Sequence, residues 1–151
     1  MQKTVVVLMG LQASGKSTFY KKYLESDFVR VNLDSLRSRR NESALIEDCL
    51  QKGLSFAVDN TNPTKMDRKR YIEPARQAGY KIVGYFMQSK IKVCVQRNAL
   101  REGSACVPEM AIAATSNKLE LPSYDEGFDE LYFVKTDSEE MVVTKWVEYK
   151  N

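Results

Sequence analysis

The segment Gly10-Leu11-Gln12-Ala13-Ser14-Gly15-Lys16-Ser17-Thr18 carries the plainest chemistry in this chain. It satisfies the pattern G-x-x-x-x-G-K-[ST] at every fixed position, after the apolar run Thr4 to Met9 and before a helix-compatible stretch from Lys16 to Leu24. Glycines let successive backbone N–H groups curl around a phosphate, and the amides of the helix start then face the anion. Lys16 can reach the outer phosphates, and the Ser17 hydroxyl can hold Mg²⁺. The pattern therefore predicts a bound nucleoside triphosphate, with Gly10 through Thr18 as its binding segment. What becomes of the γ-phosphate depends on other residues.

Those residues fall at strand ends and in a late loop. Val31-Asn32-Leu33-Asp34 closes an apolar run, and Arg37, Arg39 and Arg40 follow it. Ser55 to Asp59 ends in a carboxylate and continues as Asp59-Asn60-Thr61-Asn62-Pro63. Arg97 and Arg101 stand at i and i+4 near the end of a helical pattern. Phosphoryl transfer asks the protein for positioning, charge neutralisation and a base for the nucleophile. Asp34, expected at the end of the strand beside the phosphate-loop strand, can take the proton of an acceptor hydroxyl; its alternative role is to cap the turn that follows. Asp59 can hold Mg²⁺ through water, or simply fix its loop. Arg97 and Arg101 can fold over the triphosphate as a lid, or form a solvated helix face.

The elements that must position them alternate along the chain. Strands are predicted at Thr4–Met9, Phe28–Asn32, Leu54–Asp59, Tyr80–Met87 and Glu130–Lys135, the last taken as the final strand of the sheet. Helices are predicted after the phosphate loop, over Glu42–Lys52, from Asn62-Pro63 to Ala78 with Asn62 as N-cap, over Ile91–Glu102 and over Pro108–Lys118. Pro74 should kink the third of these or remove one hydrogen bond. Strands separated by helices imply an α/β fold, a parallel sheet covered on both faces, with ligands at the carboxyl ends of the strands. The segment Met141–Tyr149 alternates partly and fits an edge strand or a docked arm.

At 151 residues, with 43% hydrophobic and 28% charged side chains, the chain is expected to form a single soluble domain. No run approaches the length of a membrane span, and no signal-peptide pattern is present, so a cytoplasmic address is expected. The absence of histidine and the irregular spacing of Cys49, Cys94 and Cys106 argue against a zinc site; Cys49 and Cys94 read as core residues. Residues 1–119 carry a balance of +9 and residues 120–151 one of −6. A basic body suits a polyanionic partner, and the acidic tail could pack on that body or recruit a partner.

The order of motifs resembles the 5′-kinase domain of polynucleotide kinases, both the bacteriophage enzyme and the mammalian kinase-phosphatase. GLQASGKST, VNLD, AVDNTNPTKMDRKRY, QRNALRE and the late EGF at Glu126 to Phe128 carry the resemblance, which extends from Val5 to about Val134. It implies a P-loop kinase with a helical lid that uses ATP and Mg²⁺ and phosphorylates the 5′-hydroxyl ends of DNA or RNA. Asp34 would be the general base and Lys16 and Ser17 the triphosphate and Mg²⁺ ligands. Arg37 would contact the acceptor's phosphate, with Asn60 and Asn62 on the acceptor side. Arg101 would support the transferring phosphate beside Arg97, and Asp59 would be the aspartate of the third strand, near the metal. Two departures stand out. Leu33 replaces the arginine that usually precedes the base, for which Arg39, Arg40 or the Lys65/Arg68/Lys69/Arg70 cluster could substitute. The Asp-x-Asp-Gly-Thr signature of the partner phosphatase is absent, so a kinase module without 3′-end trimming is expected.

Other readings remain open from the residues. Leu33 and the modest net charge of +3 suit a kinase of the same architecture with a nucleoside, nucleotide or sugar acid as acceptor. A nucleotide-dependent switch would want an Asn-Lys-x-Asp motif, and Asn117-Lys118-Leu119-Glu120 ends in the wrong residue.

Overall fold

The computed structural model describes residues 2–136 and 140–148. Its centre is β1, Thr4–Met9, every residue of which is buried. A strand covered on both faces has no polar side to present, which is why its sequence runs apolar without alternation. It pairs in parallel with β3, Phe56–Asp59, on one side and β4, Lys81–Met87, on the other. The short β2, Val29–Val31, lies outside β3, while β5, Glu130–Lys135, pairs in parallel with β4. An antiparallel edge strand, β6 (Val142–Lys145), completes the order β2-β3-β1-β4-β5-β6. The fold is thus the α/β class expected, a mostly parallel sheet with helices between its strands.

Helix α1, Lys16–Phe19, follows the phosphate loop and continues as one wider π-helical turn, Tyr20–Leu24. The single turn α2, Leu33–Leu36, follows β2 and leads to α3, Arg39–Lys52. Helix α4 spans Lys65–Gln77, α5 Ile91–Ala99 and α6 Glu109–Lys118. Strand alternation divides the core between the two faces. Val5, Val7, Val31, Phe56 and Val58 pack with Tyr71, Ile72 and Ala75 of α4, whereas Val6, Leu8 and Ala57 pack with Phe19, Tyr20 and Leu24.

Several boundaries depart from the sequence reading. The strand that leads to Asp34 is not beside the phosphate-loop strand: β3 lies between them. Helix α3 begins three residues early, because the Ser38 hydroxyl accepts from the Asn41 amide and caps it. Asn62 does not cap α4. Its φ of 46° is left-handed, and its side chain donates instead to the Leu8 carbonyl at 2.7 Å. Thr64 caps the helix in a reciprocal box with Asp67. Helix α4 continues through Pro74 to Gln77. Helix α5 stops at Ala99 rather than Glu102, since buried Asn98 clamps both the amide and the carbonyl of Val107 and folds the chain back. Glu130–Lys135 is not the final strand, because part of the Met141–Tyr149 segment adds β6 at the edge; residues 137–139 and Tyr149 lie outside the described residues.

Charge complementarity explains why the acidic end stays on the basic body. Arg68 of α4, fully buried, meets Glu126 through Nε and Nη2 at 2.8 and 3.1 Å and donates Nη1 to the carbonyls of Asn62 and Glu120. Glu130 pairs with Lys81. Arg68 is therefore neither a solvated residue nor an acceptor ligand. The same contacts account for the late Glu-Gly-Phe triplet: Glu126 binds Arg68, Gly127 takes a φ of 111°, and Phe128 packs where any Cβ on Gly84 would lie 2.7 Å from its ring.

Candidate active site

The carboxyl ends of β1, β2 and β3 open into a polar cavity of about 370 Å³. The phosphate loop forms part of its lining. Gly10, Ala13 and Gly15 take φ values of 146°, 62° and 106°, the left-handed excursions that coil the backbone tightly. The Gly10 amide donates to the Thr61 carbonyl at 3.0 Å and the Leu11 amide to Ser89 Oγ at 3.1 Å, so the loop is tied to its neighbours before any ligand arrives. Helix α1 has no side-chain cap, which leaves its first amides for an anion.

Lys16 is only 8% exposed, and its Nζ donates to the carbonyls of Gly10 and Leu11 at 2.9 and 2.7 Å. Burial pulls its pKa down to about 8; Asp59 and, more weakly, Asp34 oppose that shift, while Arg101 adds to it. The ammonium is thus held in a place that favours a nearby negative charge. Ser17 Oγ donates to Asp59 Oδ2 at 3.0 Å, and Asp59 is 2% exposed. One hydroxyl and one carboxylate are the hard oxygen donors that suit Mg²⁺ shared with phosphate oxygens. Among the described residues no cluster of three or more acidic, histidine or cysteine side chains could cage a metal unaided. The donor set fits Mg²⁺, with Ser17 and Asp59 as the residues that would hold it.

Asp34 stands in α2, exposed to solvent, and lines the same cavity. Two asparagines position its turn. Asn32 caps α2 by accepting from the Ser35 amide at 3.0 Å and donates Nδ2 to the Asp59 carbonyl at 2.6 Å. Asn60 accepts from the Leu33 amide at 2.9 Å and donates Nδ2 to Glu42 and to the Tyr71 hydroxyl, both at 3.1 Å. Asp59-Asn60-Thr61-Asn62 is therefore a tether: one residue on Ser17, the next on α2, the third on Gly10 and the fourth on β1. Buried Glu42 anchors it from α3 and also holds Arg39 at 2.8 Å.

The expected site residues do not all converge. Gln12, Ala13, Lys16, Ser17, Asp34, Asp59, Asn60, Asn62 and Arg101 line the cavity. Gly10, Leu11, Ser14 and Gly15 shape the loop from behind; Leu11 packs against Cys94 and Ile112, and Thr18 faces solvent. Arg97 and Arg101 do not share a helix face, because α5 ends between them. Arg97 is turned onto the hydroxyl and carbonyl of Thr136, outside the cavity lining. Arg37, at a φ of 72° after α2, is exposed and likewise outside it. Arg39 and Lys118 do line it, as does Leu33.

Sequence reading passed over Arg30, whose guanidinium pairs with Asp59 at 2.7 Å. A charged residue between Val29 and Val31 was the available signal, since alternation must turn it away from the valine face.

A family model described as an AAA domain matches residues 5–44 and 40–122. The chain belongs to this AAA-domain family. Those matched stretches hold the phosphate loop, Asp34, the tether and both late arginines. Among similar proteins, a provisionally named bifunctional polynucleotide phosphatase/kinase of Acanthamoeba polyphaga mimivirus is 31% identical over 137 residues, which is 86% of this chain and 32% of the relative. The bifunctional polynucleotide phosphatase/kinase of Schizosaccharomyces pombe is 30% identical over 128 residues, 82% of this chain and 31% of that protein. This AAA-domain chain thus spans about a third of the length of these curated relatives. In fold it is similar to Chaetomium thermophilum Kti12 in complex with ADP-AlF3, at a TM-score of 0.71 and 16% identity over 90% of this chain and 91% of that one. No helix among the described residues is long and apolar enough to cross a membrane.

Proposed function

We propose that the protein is a kinase that transfers the γ-phosphate of ATP to the 5′-hydroxyl end of DNA or RNA. The observation that carries this reading is one cavity lined by Lys16, Ser17 and Asp59 together with Asp34. The names of the two relatives support a polynucleotide acceptor. In the reaction, the Asp34 carboxylate takes the proton of the 5′-hydroxyl as its oxygen bonds to the γ-phosphorus. The bond to the β,γ-bridging oxygen breaks, and ADP leaves. Lys16 and the α1 amides hold the phosphates, and Arg101 neutralises charge on the transferring group. Mg²⁺ held by Ser17 and Asp59 would draw charge from the β- and γ-phosphate oxygens. The acceptor is bound through phosphates by basic residues, Arg39 and Lys118 among those lining the cavity, so its affinity falls steeply with salt.

Leu33 favours a second reading. It lines the cavity where the resemblance leads one to expect an arginine, and an apolar side chain there suits a smaller acceptor. Transfer of labelled γ-phosphate to a panel of acceptors separates the two: 5′-hydroxyl DNA and RNA oligonucleotides, nucleoside 3′-monophosphates, nucleosides and sugar acids, with Asp34→Asn as control. Label on oligonucleotide ends, lost in the variant, is the expected result. Label on a small acceptor alone replaces the polynucleotide reading with the second. Hydrolysis without transfer, unchanged in Asp34→Asn, rejects both.

A further inference from the structure

Strand alternation turns Val31 into the core against α3 and α4 and Arg30 toward α1 on the opposite face. There Nε and Nη2 of Arg30 lie 2.9 and 2.7 Å from Asp59 Oδ2, and Nη2 donates to Ser17 Oγ at 2.9 Å. Its guanidinium carbon sits 5.8 Å from the centre of the Tyr20 ring, and the Tyr20 hydroxyl is fixed to the Phe28 carbonyl at 2.6 Å. Asp59 Oδ2 thus receives both guanidinium nitrogens and the Ser17 hydroxyl, while that hydroxyl donates to Asp59 and accepts from Arg30. Asp59 Oδ2 and Ser17 Oγ, two oxygens that would serve a metal, are already committed to a cation.

We propose that Arg30 is the resident counter-ion of the Ser17–Asp59 pair, and that Mg²⁺ gains these oxygens only by displacing its guanidinium. The proposal rests on the reading of Ser17 and Asp59 as the metal site. A guanidinium keeps its charge at any working pH and cannot share one carboxylate oxygen with a divalent ion that demands close, regular coordination. A carboxylate as buried as Asp59 is costly to leave unpaired, which explains why a cation is kept there. The displaced guanidinium needs new anionic partners, and a triphosphate supplies them. Metal and nucleotide therefore enter together, and Arg30, a positioning residue, sets the Mg²⁺ concentration at which they do.

Equilibrium binding of a fluorescent ATP analogue, titrated with Mg²⁺, tests this without reference to turnover. Arg30→Gln should lower the Mg²⁺ concentration for half-maximal tightening by about tenfold, the scale of one charged hydrogen bond. Arg30→Lys, which keeps charge but not the fork, should lower it less, and it decides the matter alone if Arg30→Gln does not fold. An unchanged midpoint, or one that rises, overturns the proposal, since Arg30 would then be structural or would help the metal. Should wild-type protein gain no nucleotide affinity from Mg²⁺, the metal reading of Ser17 and Asp59 falls first and this inference with it.

Discussion

The phosphate loop and the turn that carries Asp34 are built by different means. In the loop, backbone amides and deeply buried side chains are locked by bonds from Thr61, Ser89, Asp59 and the loop's own carbonyls. Asp34, the base in the proposed reaction, is exposed, sits on one turn of helix, and owes its place to Asn32 and Asn60. Preorganisation is thus concentrated where the charge is densest. A triphosphate carries several charges that fixed dipoles must meet without rearranging, whereas an acceptor end has to enter, align one hydroxyl and leave. The arginines differ in the same way: Arg30 is pinned on Asp59 and Ser17, while Arg101 hangs on the chain reversal after α5.

Arg101→Ala tests that difference hardest. It should lower transfer roughly 10³–10⁵-fold, as loss of an arginine supporting the transferring phosphate does. Nucleotide affinity, measured by equilibrium titration, should change far less; a comparable loss of affinity would assign Arg101 to nucleotide binding instead. Asp34→Asn should cost roughly 10²–10⁴ in rate with nucleotide affinity intact. A transfer rate within about threefold of wild type would remove Asp34 from the role of base, because a positioned base contributes far more than that.

The Arg68–Glu126 pair lies outside the cavity lining and is joined to the tether through the Asn62 carbonyl. Glu126→Gln leaves Arg68 charged, fully buried and short of its partner, and should destabilise the fold by about 3–5 kcal/mol in denaturant titration. A loss below about 1 kcal/mol would mean that the pair is solvated in solution, as surface pairs are.

The smallest effect is a pH dependence. Burial holds the Lys16 pKa down to about 8 against an ordinary 10.5. Unfolded protein therefore binds more protons than folded protein between those values, so the Lys16 penalty is full below pH 8 and is relieved as pH rises toward 10.5. Phosphate beside the ammonium raises its pKa again. Nucleotide affinity should then be flat below pH 8 and fall above it, approaching tenfold per unit, with proton uptake visible by calorimetry in buffers of different ionisation enthalpy. A flat profile through pH 9.5 would show that Lys16 does not face the phosphates, since its charged form would make no difference there.

Much of this arrangement was legible in the chain because the relevant information is local. The glycines and Lys16-Ser17 specify a backbone path and the ligands it presents, whatever surrounds them. The apolar runs of β1, β3 and β4 specify strands covered on both faces, and α3 ends at Lys52 as expected. Reading failed where a distant partner decided. Asn62 is a good helix cap by type, but the Leu8 carbonyl claims its side chain. Arg97 and Arg101 share a helical spacing, but Asn98 binds Val107 and breaks the helix between them. Arg68 looks solvated among Lys65, Lys69 and Arg70, yet Glu126, far along the chain, draws it inward.

The α/β class, the phosphate loop and the chemical type of each candidate site residue follow from periodicity, chirality and side-chain chemistry over a few residues. Strand order, with β3 set between Asp34's strand and the strand before the phosphate loop, and the pairing of each arginine with its carboxylate come from long-range packing. Those outcomes depend on burial. A charge withdrawn from water must find its partner in space, and no local pattern records where that partner lies.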